Sequence, residues 1–219
     1  MSDDLPDAQL TRIVAVRHGE TAWNVELRVQ GQLDIGLNAL GRLQAVQLAQ
    51  ALADEAIDVL YSSDLGRARD TAHAVAQRLG LPLQLDAALR ERAFGRFEGL
   101  TYAEIEQCFP DEARRWRQRD PDFAPEGGES LAGFQRRAVA AVAAIAQRHR
   151  GEHVAVITHG GVLDALYRAA ARIALDAPRT WQLGNAAVNR LLHGDEGFAL
   201  VGWADTGHLQ APSLEEGSA

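Results

Sequence analysis

Apolar positions recur along this chain in two distinct rhythms. Residues 12–16, 57–63 ("IDVLYSS"), 81–86 ("LPLQLD") and 153–159 ("HVAVITH") are short apolar runs of strand length. Between them the spacing is helical. In "LNALGRLQAVQLAQALA" the residues Leu40, Leu43, Val46, Leu48 and Leu52 fall near one face, with Asn38 placed to cap the helix. In "DLGRARDTAHAVAQRLG" Ala68, Ala72, Val75 and Leu79 share a face and Gly80 closes the helix. "SLAGFQRRAVAAVAAIAQRHRG" predicts a long helix from an N-cap at Ser130 to a stop at Gly151, and "GVLDALYRAAARIA" predicts another. "VNRLLH" and "FALVGW", joined by "GDEG", predict a closing hairpin.

Strands that alternate with helices predict an α/β fold: a three-layer α/β/α sandwich around a mostly parallel central sheet. In such sheets the active site lies beyond the carboxyl edge of the strands. The length fits one domain over 1–219. Residues 92–128 are expected to cross that edge as an excursion facing the substrate, and 209–219 to form a flexible tail.

Three strand ends carry unusual residues. The first run stops at Arg17-His18-Gly19, the second passes through Ser62-Ser63 into a helix whose first turn holds Arg67, and the fourth ends in His159-Gly160-Gly161. Each is unremarkable alone: a strand-end histidine is commonly structural and a helix arginine commonly solvated. On one sheet edge, two arginines and two histidines would converge. The glycines would let backbone approach a ligand, and the helix N-termini after Ser63 and Gly161 would add N–H donors. Forked guanidinium groups with such donors suit a phosphoryl group.

Composition narrows the options. A net charge of −8 argues against a general nucleic-acid partner. No run is long enough to span a membrane. The first ten residues, "MSDDLPDAQL", lack the pattern of a secretory signal. A lone Cys108 fits a reducing cytoplasm, and no Cys/His cluster has zinc-ligand spacing, so no metal and no cofactor is expected. All 22 basic residues are arginine, so no step here uses a lysine amine.

The motif "VRHGETAWN" resembles the signature of the histidine phosphatase superfamily, the phosphoglycerate mutase-like family. "QGQLDIGLNALG", "YSSDLGRARDTA", "LRERAFGRFEG", "EGGES", "VITHGG" and "GNAAVNRLL" resemble its later blocks in order, over roughly residues 12–205. The resemblance implies a phosphohistidine mechanism. His18 would be the nucleophile, held by a backbone carbonyl near Gly19. Arg17, Arg67 and His159 would bind and stabilise the phosphoryl oxygens, and Glu91 would be general acid and then base. Asn24, Gln30, Gly31 and Gly160 would line the phosphate, with Gln30 standing where many members have Ser or Thr. Glu98 is expected to bond backbone.

The implied function is a metal-independent phosphomonoesterase acting on a small phosphorylated metabolite, as monomer or homodimer. The alternatives are a phosphoglycerate mutase using the same phosphohistidine and a non-catalytic phospholigand-binding protein. "THGG" follows the phosphatase pattern, where mutases usually show His-Gly-Asn. Mutases of this family also resemble one another in using a lysine, which this chain lacks. Arg114, Arg115, Arg117 and Arg119 are expected either to meet a second acidic group on the substrate or to form a solvated helix face.

Overall fold

In the strand Thr11–Arg17 (β1), Ile13 and Ala15 point to one side and Val14 and Val16 to the other, and all four are buried. A strand apolar on both faces needs a layer above and a layer below. A computed structural model of the chain describes residues 10–209, and it supplies both layers. Of the tail assigned to 209–219, residues 210–219 lie outside the described residues, as do residues 1–9.

The other strands are Val59–Ser62 (β2), Leu83–Leu85 (β3), His153–Thr158 (β4), Val188–Gly194 (β5) and Gly197–Asp205 (β6). They form one sheet in the order β3-β2-β4-β1-β5-β6. The first four in that order run parallel; β5 pairs antiparallel with β1, and β6 with β5 as the expected hairpin. The helices are Ala22–Val25 (α1), Ala39–Ala51 (α2), Gly66–Leu79 (α3), Tyr102–Cys108 (α4), Pro110–Arg117 (α5), Leu131–Arg148 (α6) and Gly160–Ala171 (α7). Leu48, Leu52, Ala72 and Val75 of the α2–α3 side pack on Val14, Val16, Leu60 and Ile157. Phe134, Val142, Leu163 and Leu166 of α6 and α7 pack on Ile13, Ala15, Val154 and Val156. The fold is the three-layer α/β/α sandwich that the alternation predicts.

One expectation changes. Helix α2 starts at its Asn38 cap, but Leu40, Leu43 and Val46 are exposed, and the buried side is Gly41, Ala45, Leu48 and Ala49. A Cβ at Gly41 would collide with the backbone of Glu20, and one at Gly19 with the carbonyl of Gly41. The helix lies so close to the loop after β1 that small residues must face inward. The excursion over 92–128 carries elements of its own. It holds α4, begun by a capping box of Thr101 and Glu104, and α5, begun by Pro110. Phe97, Ile105, Ala113 and Phe123 give it a small core of its own.

Candidate active site

The sheet order makes β2, β4 and β1 neighbours, and their parallel register places Arg17 beside Thr158 and Ser62 beside Ile157. All three chains therefore leave the sheet together. Just past the edge, the rings of His18 and His159 lie 5.3 Å apart between centroids.

The contacts of His18 settle its tautomer. Its Nδ1 sits 2.7 Å from the carbonyl of Gly19, which can only accept, so Nδ1 carries the proton. Its Nε2 lies 3.3 Å from Nε of Arg67, which can only donate, so Nε2 holds a lone pair. The ring is buried, and burial first, then Arg67 and Arg17, hold its pKa well below the ordinary value. His18 is thus a neutral imidazole at neutral pH.

Arg67 is buried in the first turn of α3, and its guanidinium also donates to the carbonyls of Leu33 and Gly31, at 2.8 and 2.7 Å. Burial pulls it down to about 10, against the pull of Glu91 and Asp34. Arg17 donates to the carbonyl of Leu183 at 2.5 Å, and its buried Nε has no protein partner. Burial lowers its pKa too, Glu91 opposing. His159 is fully buried and does not line the cavity; Nε2 pairs with Ser63 Oγ at 2.8 Å and Nδ1 has no partner. Burial and then Arg67 hold its pKa well below the ordinary value.

Glu91 reaches the site from the loop after β3. One carboxylate oxygen accepts from the Arg92 N–H at 2.8 Å and the other from the Gly161 N–H at 2.9 Å. A Cβ at Gly161 would strike this carboxylate and Phe134, so the glycine makes room for Glu91 rather than for a ligand. The two helix N-termini expected to serve the ligand are likewise occupied: Gly161 by Glu91, and Gly66 by Asp34 at 2.6 Å. The glycine at 160 lies against Arg17, with a Cβ there 3.5 Å from its Nε.

Gly31, at φ 51°, and Gln30 lie in a loop that Glu98 pins through the N–H groups of Gln32 and Phe94. This is the backbone role expected for Glu98. Gln30 lines the cavity with its side-chain Oε1 unpaired. Asn24 caps α1 with Thr21 and accepts from Asn185 at 3.2 Å. Asn185 also donates to the His18 carbonyl at 3.0 Å.

These groups share one cavity of about 790 Å³. It is lined by buried or half-buried Arg17, His18, Arg67, Glu91 and Gly160 and, among others, by half-buried Trp116 and the exposed Tyr102 and Arg179. Of the four excursion arginines, Arg117 and Arg119 line it and Arg114 and Arg115 do not. Tyr102, Asn185 and Arg179 were not singled out from the sequence. "GNAAVNRLL" contains Asn185, but only the turn toward His18 makes that residue part of the site. Among the described residues, no group of three or more His, Cys, Asp or Glu side chains could hold a metal ion.

Two buried neutral histidines make stability depend on pH. Unfolded, both take up protons below about pH 6.5; folded, His18 and His159 resist protonation. The unfolded state therefore binds more protons, and stability falls as pH drops from about 6.5 toward 5, by up to about 1.4 kcal/mol per unit for each histidine. Denaturant midpoints at pH 7, 6 and 5 measure this. His159→Asn should flatten the slope, and an unchanged slope would assign it to other groups.

Residues 13–206 match the sequence profile of the histidine phosphatase superfamily (branch 1). Phosphoglycerate mutase-like protein 4 of Arabidopsis thaliana is 40% identical over 212 residues, which cover 94% of this chain and 90% of that protein. The metal-independent phosphoserine phosphatase of the same plant is 39% identical over 208 residues, covering 94% and 86%. The mycobacterial glucosyl-3-phosphoglycerate phosphatase, solved with VO3, superposes with a TM-score of 0.78 at 35% identity, over 89% of this chain and 99% of that one.

Proposed function

The chain belongs to the histidine phosphatase superfamily; from that premise we propose that it is a phosphatase, that His18 is its nucleophile, that Glu91 is its proton donor and acceptor, and that its substrate is a small phosphorylated metabolite. The observation that carries this reading is the His18 tautomer. A proton locked on Nδ1 by Gly19 leaves the lone pair on Nε2, in the cavity, as a nucleophile needs.

In the proposed cycle Nε2 attacks phosphorus as the P–O bond to the alcohol breaks. Arg17 and Arg67 hold the phosphoryl oxygens, and the Arg67 N–H now on Nε2 turns to a phosphoryl oxygen as the ligand enters. Glu91 gives its proton to the departing alkoxide. The phosphohistidine then takes water in place of the alcohol. Glu91 removes a proton from that water, the N–P bond breaks, and inorganic phosphate leaves with His18 restored. His159 packs beside His18, with ring centroids 5.3 Å apart and its Nε2 on Ser63. Asn24, Gln30, Gly31 and Gly160 border the phosphoryl group. Burial of Arg17 and Arg67 strengthens their pull on developing charge.

Cys108 is free and exposed, which accords with a reducing compartment such as the cytoplasm. No helix among the described residues is long and apolar enough to cross a membrane.

A hydrolysis screen over phosphorylated metabolites tests the proposal. Activity should survive excess chelator, since the cavity offers arginines in place of a carboxylate cluster, and vanadate should inhibit. With 3-phosphoglycerate and its bisphosphate primer, phosphate release should exceed mutase interconversion by at least about tenfold, roughly 1.4 kcal/mol in barrier. Without a lysine, the usual mutase contact to the substrate carboxylate is missing. Fast interconversion with little free phosphate would make the enzyme a mutase.

A further inference from the structure

Seven arginines and two carboxylates line the cavity of a chain whose net charge is −8. Most of these cations are already engaged. Arg28 pairs with Glu26 and Glu104, both at 3.0 Å. Arg117 pairs with Glu106 at 2.6 Å, and Arg119 with Asp164 at 2.7 Å. Arg92 spends its guanidinium on the carbonyls of Glu129 and Phe123. Arg17 and Arg67 face the reacting phosphoryl group. One lining cation remains. Arg179, in the loop between α7 and β5, is exposed and makes no hydrogen bond or ion pair with any described residue. Its charge still reaches Arg17, whose pKa it helps to lower behind the larger effect of burial.

We propose that Arg179 is a specificity-determining residue, whose guanidinium takes a carboxylate on the leaving group of the phosphomonoester. This rests on the phosphatase reading and adds the chemistry of the part of the substrate that departs. A single unpaired fork matches one planar, singly charged group through two parallel N–H bonds. A second phosphate, carrying more charge, would call for more than one unengaged cation. The cavity is roomy enough, within the roughly 300–1,000 Å³ usual for small-molecule sites, for a leaving group that reaches from Glu91 to Arg179. The arginines at 114 and 115, which the sequence offers first, are tied to Asp111 and Asp120 and lie outside the cavity.

The test compares 3-phosphoglycerate with glycerol 3-phosphate, which carries a hydroxymethyl group where the former has its carboxylate. Calorimetry on full-length His18→Ala protein gives both affinities without turnover. 3-Phosphoglycerate should bind at least about tenfold more tightly, and adding Arg179→Gln should shrink that preference below about twofold. Adding Arg114→Gln should leave it unchanged. No preference at the outset, or a preference that persists without Arg179, overturns the assignment. Failure of the wild-type chain to hydrolyse any phosphomonoester, with these affinities as expected, would remove the phosphatase reading and leave the Arg179 assignment standing.

Discussion

His18→Ala protein should release phosphate at least about four orders of magnitude more slowly than the wild type, and should take up no label from a phosphorylated donor. In the proposed cycle the bond to phosphorus forms at one atom. No lysine exists to substitute, and His159 is walled off with its Nε2 committed to Ser63. Rapid quench of the wild-type enzyme should trap a phosphoenzyme that survives base and decays in acid, as an N–P bond does. Label that persists in His18→Ala protein, or that withstands acid, would move the nucleophile elsewhere.

Glu91→Gln should cost about a hundredfold to ten-thousandfold on an alkyl phosphate and far less on an aryl phosphate. An alkoxide is a poor leaving group and needs a proton as it departs; an activated phenolate hardly does. The amide keeps much of the shape of the carboxylate, so the N–H groups of Arg92 and Gly161 would still find one acceptor. The loss should therefore fall on chemistry rather than architecture. Plotting rate against leaving-group pKa for both proteins separates the two. A steeper dependence in the variant supports proton donation, whereas parallel lines would reduce Glu91 to a shaping role.

Much of the fold was legible because the local signals agree with the tertiary structure. Strand-length apolar runs, the Asn38 and Ser130 caps and the Gly80 stop all stand where the pattern puts them. The order of the strands is a long-range property and left no local mark. Helix α2 misleads only over its first turns: the close approach of Gly19 to Gly41 puts Gly41 and Ala45 inward and leaves Leu40, Leu43 and Val46 exposed, whereas Leu48 and Leu52 are buried as the periodicity puts them. Arg17, His18 and His159 could be grouped because they follow strands that prove to be neighbours, and Arg67 because its helix follows another; Glu91 lies in a loop and came only from the motif resemblance. The role of Arg179 was not legible. Whether a surface arginine is free depends on partners such as Glu106, Asp164 and Asp111, which lie on other turns or other helices.

The depth of Arg67 also bears on why such a site is built from guanidinium groups. At about 10, its pKa still leaves it fully charged at neutral pH. A guanidinium has that much charge in reserve; an ammonium, starting about two units lower, has little. The same burial would also lower the pKa of a lysine at this position, from a starting point nearer to neutrality. Arg67→Lys should therefore be weakened at every pH by poorer geometry, and weakened further relative to the wild type as pH rises above neutrality. Alkaline tolerance is thus written into the choice of cation.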